Sequence, residues 1–204
     1  MSAKTLQLEK PARLEIRQAK AQLELPSPGQ LELPSPPKKK LRVGFFSFTG
    51  CEGCMIEFLE ILNTKFFEWA PLLDVRYCRL LKGKNKLEGI DVSFVEGAIS
   101  SDKEMGKLKK IRENSKRVVA IGSCAISGAP NNWRNYFDQK TKEEIAFILE
   151  KFGHREKVSP ISEFVKVDAN VPGCPMLDGK FIQVMEDYMR EFGVLPPKQE
   201  EKKV

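Results

Sequence analysis

Residues 41–193 alternate between two apolar rhythms, one of strand length and one of helical spacing. L41-R-V-G-F-F-S-F48 is an almost unbroken apolar run, as in a strand buried on both faces. After Cys54, Ile56, Leu59, Ile61, Leu62, Phe66 and Phe67 recur at helical spacing, and Pro71 stops the helix. L73-D-V-R-Y-C-R-L-L81 predicts a second strand, K82-G-K-N-K a turn, I90-D-V-S-F-V-E96 a third strand, and Gly97 a turn. Ser100 or Ser101 caps a helix running to about Asn114, with Glu104 at capping-box distance from Ser101. R117-V-V-A-I-G122 predicts a fourth strand. Thr141 and Glu144 repeat the capping-box spacing before A146-F-I-L-E-K, and Gly153 ends that helix. F164-V-K-V-D168 is a short extended run. Asp178 opens a last helix through Phe181, Val184, Met185, Tyr188 and Met189.

Repeated alternation of strand and helix predicts an α/β doubly wound, mostly parallel sheet. In such a sheet the loops after the strands share one edge, and ligands bind where strand order reverses. Outside this body, L-E-L-P-S-P occurs at 23–28 and again at 31–36, followed by Pro37 and three lysines. Proline at that density blocks helix and sheet, so residues 1–40 are expected to form a flexible or partner-docked extension, and 194–204 a solvated tail.

Charge changes this picture little. The formal net charge is +6, but residues 1–40 carry eight Lys/Arg against four Glu, and 198–204 three Lys against two Glu. The body is thus nearly neutral and contains no nucleic-acid-binding module, which argues against nucleic acid as the partner. There is no apolar stretch of about 18 residues, so no transmembrane segment is predicted. The amino terminus shows neither an apolar signal nor a twin arginine, and the expectation is a cytoplasmic protein.

Chemistry enters with the cysteines. Four of the five stand in glycine-rich turns: Cys51 and Cys54 in T-G-C-E-G-C, Cys124 in G-S-C-A, and Cys174 in V-P-G-C-P. Each of these turns follows a predicted strand or extended run, so loops distant in sequence would meet at one sheet edge. Together the four thiolates make a full ligand set for a metal centre. Gly50 and Gly53 allow a tight turn and close approach to a bulky inorganic core. A redox C-x-x-C would leave Cys124 and Cys174 unexplained, and a zinc ribbon ordinarily supplies a second C-x-x-C. The spacing therefore favours an iron–sulfur cluster, with structural zinc and redox thiols still open. A single cluster with four thiolate ligands leaves no iron free for substrate, so the chain reads as an electron carrier. A zinc-stabilised interaction module without redox function is the alternative of a different class. Cys78 lies inside an apolar run and reads as core.

G-C-E-G-C-M-I-E-F at 50–58, V-E-G-A-I-S at 95–100, I-G-S-C-A-I-S-G at 121–128 and V-P-G-C-P at 171–175 resemble the small subunit of nickel–iron hydrogenases. They are similar also to the related cluster-carrying 20 kDa subunit of respiratory complex I. The resemblance covers roughly 41–193. It implies a flavodoxin-like domain holding one proximal [4Fe-4S] cluster on Cys51, Cys54, Cys124 and Cys174, beside a large subunit that carries the nickel–iron centre. It places Glu96 in the family's V-E-G position, near the subunit interface. Electrons would pass to a flavin or Fe–S partner subunit, NAD(P)-linked in some members, and whether this subunit binds a flavin is left open. Gly50 before Cys51 breaks the adjacent-cysteine pattern of the complex I subunit, which favours a hydrogenase. The end of the chain soon after the cluster domain resembles cytoplasmic NAD-reducing types. Membrane energy-converting hydrogenases and complex I-like modules remain the alternative.

Other residues are weighed against plainer roles. Glu57 either tunes the cluster or is a first-turn glutamate matched to the helix dipole. Glu96, at a strand end on the cysteine edge, is read as functional or interfacial. Trp133 and Tyr136 either cover the cluster or a partner surface, or pack in the core. His154 reads as surface, and Lys107, Lys109 and Lys110 as a solvated helix face. No Walker or dinucleotide glycine pattern is present, so an NAD site is expected elsewhere in the assembly.

Overall fold

The computed structural model describes residues 39–198. The Pro-rich extension, apart from its last two residues, and the end of the tail lie outside the described residues. The body is a five-stranded parallel sheet of β1 (Leu41–Ser47), β2 (Leu73–Tyr77), β3 (Ile90–Glu96), β5 (Ser115–Ile121) and β7 (Ala169–Val171), in the order β2-β1-β3-β5-β7. This is the flavodoxin-like order. The chain leaves β1 toward β2 on one side and returns to β3 on the other, so strand order reverses at β1.

Helices cover both faces. On one face α1 (Gly53–Trp69) and α5 (Asp178–Glu191) pack through Met55, Phe58, Ile61, Phe181 and Met185. The centre of that core is aromatic: Phe45 stacks on Phe58 at 4.0 Å and on Phe94 at 5.2 Å, with Phe181 5.0 Å from Phe94. On the other face α2 (Asp102–Glu113) packs Leu108 and Ile111 against Phe46, Val95, Val118 and Ala120. Every residue of β3 is buried, as the middle strand of a sheet covered twice must be. Val194 and Leu195 also pack against the first core, so the packed body continues past 193.

The predicted doubly wound sheet is therefore present, with differences in detail. β2 stops at Tyr77; Cys78 begins a turn whose carbonyl accepts from Leu81 and Lys82, although its thiol stays buried as expected. The run 164–168 is not a strand. Phe164, Val165 and Val167 pack sideways onto the second core, and pairing begins at Ala169. Asp168 ends that run because its carboxylate accepts from Val118 N and the Arg112 guanidinium. Ser101 caps α2 as predicted, accepting from Glu104 N. The next long helix, α4 (Gln139–Phe152), starts earlier than the capping-box spacing indicates, because Asp138 rather than Thr141 takes the cap position and accepts from Thr141 N at 2.7 Å. On α1, Ile56, Phe66 and Phe67 are exposed; the helix carries more apolar residues than its buried stripe uses.

A small antiparallel pair, β4 (Ile99–Ser101) with β6 (His154–Ser159), adds to the predicted elements. It braces the long excursion between β5 and β7, where Asn135 exchanges two hydrogen bonds with Val158. His154 is exposed, as expected. No helix of the described residues is long and apolar enough to cross a membrane.

Candidate functional site

The four turn cysteines arrive at the carboxyl edge on three arms. The first leaves β1. Phe48 N donates to Glu96 O, and Thr49 and Ala98 exchange a pair of backbone hydrogen bonds, so the loops after β1 and β3 stay zipped beyond the sheet. Gly97 permits this approach: its φ is +86°, and a β-carbon there would stand 2.7 Å from the Phe48 carbonyl carbon. Cys51 follows, exposed, and Cys54 sits half-buried in the first turn of α1. Between them Glu52 takes a left-handed conformation, φ +60°, as the N-cap of α1 with no side-chain cap of its own. A non-glycine residue held there costs about 1 kcal/mol. Nothing in the sequence pattern marks Glu52 for that role.

The second arm leaves β5 through Gly122, φ +78°, into the short helix α3 (Gly122–Ser127) that carries Cys124. A β-carbon on Gly122 would overlap Cys54 Sγ, so the two arms touch at this glycine. The third arm leaves β7 as the turn 172–177, closed by Leu177 N donating to Pro172 O. It carries Cys174, which is exposed. Ser123 binds the second arm to the third, donating to Gly173 O from its backbone N at 2.8 Å and its hydroxyl at 3.1 Å. Gly53 brings the first arm against the third: its β-carbon would lie 3.2 Å from Cys51 Sγ and 3.9 Å from Pro175 Cβ.

The thiols act on one another electrostatically. Burial pushes the Cys54 thiol up to about 12, opposed by the Met176 backbone and reinforced by Glu96, Cys124 and Cys51. Burial also pushes Cys124 up, reinforced by Cys174 and Cys51. Without a cation, then, Cys54 and Cys124 disfavour the thiolate; a metal centre reverses that preference. Among the described residues no three His, Cys, Asp or Glu side chains converge closely enough for one metal ion.

Glu96 ends β3 at this edge and is buried, accepting from Ser47 Oγ at 2.9 Å. Burial raises its pKa against the pull of that hydroxyl, and the backbones of Met55 and Cys54 also favour the charged form. Glu57 is half-buried on α1, and no hydrogen bond to its side chain occurs among the described residues. Trp133 and Tyr136, on a 3-10 turn at Asn131–Tyr136, are 69% and 78% exposed and so are not core residues. Lys107 departs from the solvated-face expectation: it is half-buried, with Nζ 5.3 Å above the Phe48 ring.

Residues 51–188, which include all four of these cysteines, match the family described as NADH ubiquinone oxidoreductase, 20 Kd subunit. The chain belongs to that family. Among its relatives, a subunit of the F420-non-reducing hydrogenase vhu of Methanocaldococcus jannaschii is 32% identical over 148 residues, 66% of this chain and 51% of that protein. The NAD-reducing hydrogenase HoxS subunit delta of Cupriavidus necator is 27% identical over 164 residues, 72% of this chain and 78% of that protein. The chain thus spans about half the length of the F420-non-reducing relatives, and more of the HoxS subunit. A crystal structure of an NAD+-reducing [NiFe]-hydrogenase in the H2-reduced state shares the fold, with a TM-score of 0.64 at 24% identity over 79% of this chain and 97% of that one.

Proposed function

We propose that this member of the 20 Kd subunit family is the electron-transfer small subunit of a nickel–iron hydrogenase. Cys51, Cys54, Cys124 and Cys174 would hold one [4Fe-4S] cluster beside a large subunit where H2 is activated. The observation that carries this reading is the meeting of the three cysteine arms, through Gly122 against Cys54 and Ser123 on Gly173. When bound, such a cluster supplies a one-electron carrier. The chain's own residues do the rest. Gly53 and Gly122 leave room for the Cys51 and Cys54 sulfurs, and Gly97 and Gly173 let neighbouring backbone approach closely. The first turn of α1, which has no side-chain cap, turns the Cys54 and Met55 backbone toward the Glu96 carboxylate at the edge the thiols share. Glu96 and Ser47 hold a polar contact at the adjoining strand ends, where the resemblance puts the subunit interface.

In this reading the acceptor is a flavin or Fe–S subunit that is NAD(P)-linked; the HoxS relative is named as NAD-reducing. The complex is taken as cytoplasmic, in keeping with five free cysteines and no disulfide among the described residues. Residues 1–40 are taken as an appended partner-docking or flexible segment. Iron and acid-labile sulfide analysis, with paramagnetic resonance of the reduced protein, tests the cofactor. One zinc and no iron would end the electron-carrier reading. Co-purification tests the partner: a large subunit lacking paired C-x-x-C nickel ligands would end the hydrogenase reading. The family description itself favours a second reading, a complex I-like module exchanging electrons with a quinone or ferredoxin.

A further inference from the structure

We propose that the basic loop Arg79–Lys86, together with Lys107, is the docking surface for a carboxylate-rich, one-electron carrier protein. The inference deepens the proposed function and rests on it.

Residues 75–87 contain five cations (Arg76, Arg79, Lys82, Lys84, Lys86) and no acid, in a body that is close to neutral as a whole. Arg76 is paired with Asp74. Arg79, Lys84 and Lys86 are exposed and have no carboxylate partner among the described residues. Lys107 joins them, half-buried over Phe48 and likewise without an acidic partner among the described residues. Leu80 and Leu81, each 46% exposed, put apolar surface in the middle of this charge. That is the composition of a protein-binding patch: apolar side chains set among cations of one loop.

Its position adds to the argument. Arg79, Leu80 and Lys107 wall a cavity of about 340 Å³ whose other wall includes Glu52 and Met55. Glu52 is the link between Cys51 and Cys54, so a carrier seated on the loop lies beside the cysteine edge. A lipid or nucleic-acid surface gains nothing from that proximity, whereas electron exchange requires it. In the exchange, one electron passes between the docked carrier and the group held by the cysteines. One is reduced as the other is oxidised, and no bond is made or broken.

The test uses the full complex and, as probe, a fluorescently labelled acidic [2Fe–2S] ferredoxin. Binding at low salt should weaken steeply as salt is added. The variant R79E/K84E should weaken it by about ten-fold or more, while K140E/K151E on α4, with the same charge change, should leave it unaltered. Equal loss in both variants, or no binding by the unaltered complex, would overturn the proposal. So would binding of phosphatidylserine-containing vesicles that R79E/K84E abolishes while ferredoxin binding persists. Iron content measured on the same samples keeps the two inferences apart. Normal iron with indifferent ferredoxin binding defeats the docking surface alone, whereas absent iron defeats the cluster reading.

Discussion

Gly122 and Cys54 stand so close that a single methyl group on the glycine would collide with the sulfur. Gly122 also has a φ of +78°, which a side chain tolerates poorly. Gly122→Ala therefore meets backbone strain and overpacking together and should cost about 2–4 kcal/mol. Urea unfolding should show the loss, and iron bound per chain should fall with it. Retained stability and full iron would mean that the arms do not touch there.

Gly106 provides the opposite case. It lies inside α2 with nothing within 4 Å of the position a β-carbon would take. Gly106→Ala should stabilise the protein by about 0.5–1 kcal/mol, because alanine favours helix and restricts the unfolded chain. Thermal unfolding should show a higher midpoint, with iron content unchanged.

The cysteines divide by location. Cys124→Ser should lose or convert the cluster, since a hydroxyl is a poor replacement for thiolate at iron. Cys78→Ala removes a thiol buried in the first core and should cost about 1 kcal/mol without touching iron content. Equal loss of iron from both variants would overturn the assignment of the four ligands.

Acid stability should report on Asp91. Burial alone would raise its pKa, but hydrogen bonds from Arg42 and Lys116 outweigh burial and hold it at about 2, against an ordinary 3.8. Asp91 Oδ1 is 2.8 Å from Arg42 and 2.9 Å from Lys116. Because the folded pKa is depressed, the stabilisation is fully present above about pH 4 and is lost as pH falls toward 2. Both cations are partly exposed, so the effect is on the order of 1–2 kcal/mol. Asp91→Asn should lower the urea midpoint at pH 7 and flatten its fall between pH 4 and pH 2.

The sheet is legible in the sequence because β1, β3 and β5 are apolar on both faces, a pattern that parallel burial imposes. The cysteine arms are legible for a topological reason: turns after parallel strands share an edge. β7 is not, since Ala169–Val171 is a three-residue strand whose neighbours Phe164 to Val167 carry the apolar signal while packing as loop. Nor are β4 and β6, because H-R-E-K-V-S is mostly polar and its pairing with Ile99–Ser101 is a long-range event. The left-handed Glu52 and the half-buried Lys107 are properties of three-dimensional placement that residue type does not announce.

β7 meets the sheet only at its outer edge, through pairs from Val119 to Ile121 of β5. Cys174 hangs from that short seam and from the two bonds Ser123 gives Gly173. A nascent chain therefore holds only two of the three cysteine arms until its final quarter emerges. On the proposed cluster reading, loading with iron and sulfide would follow that moment, and fraying of this one seam would be the easiest way for the finished protein to let its cargo go.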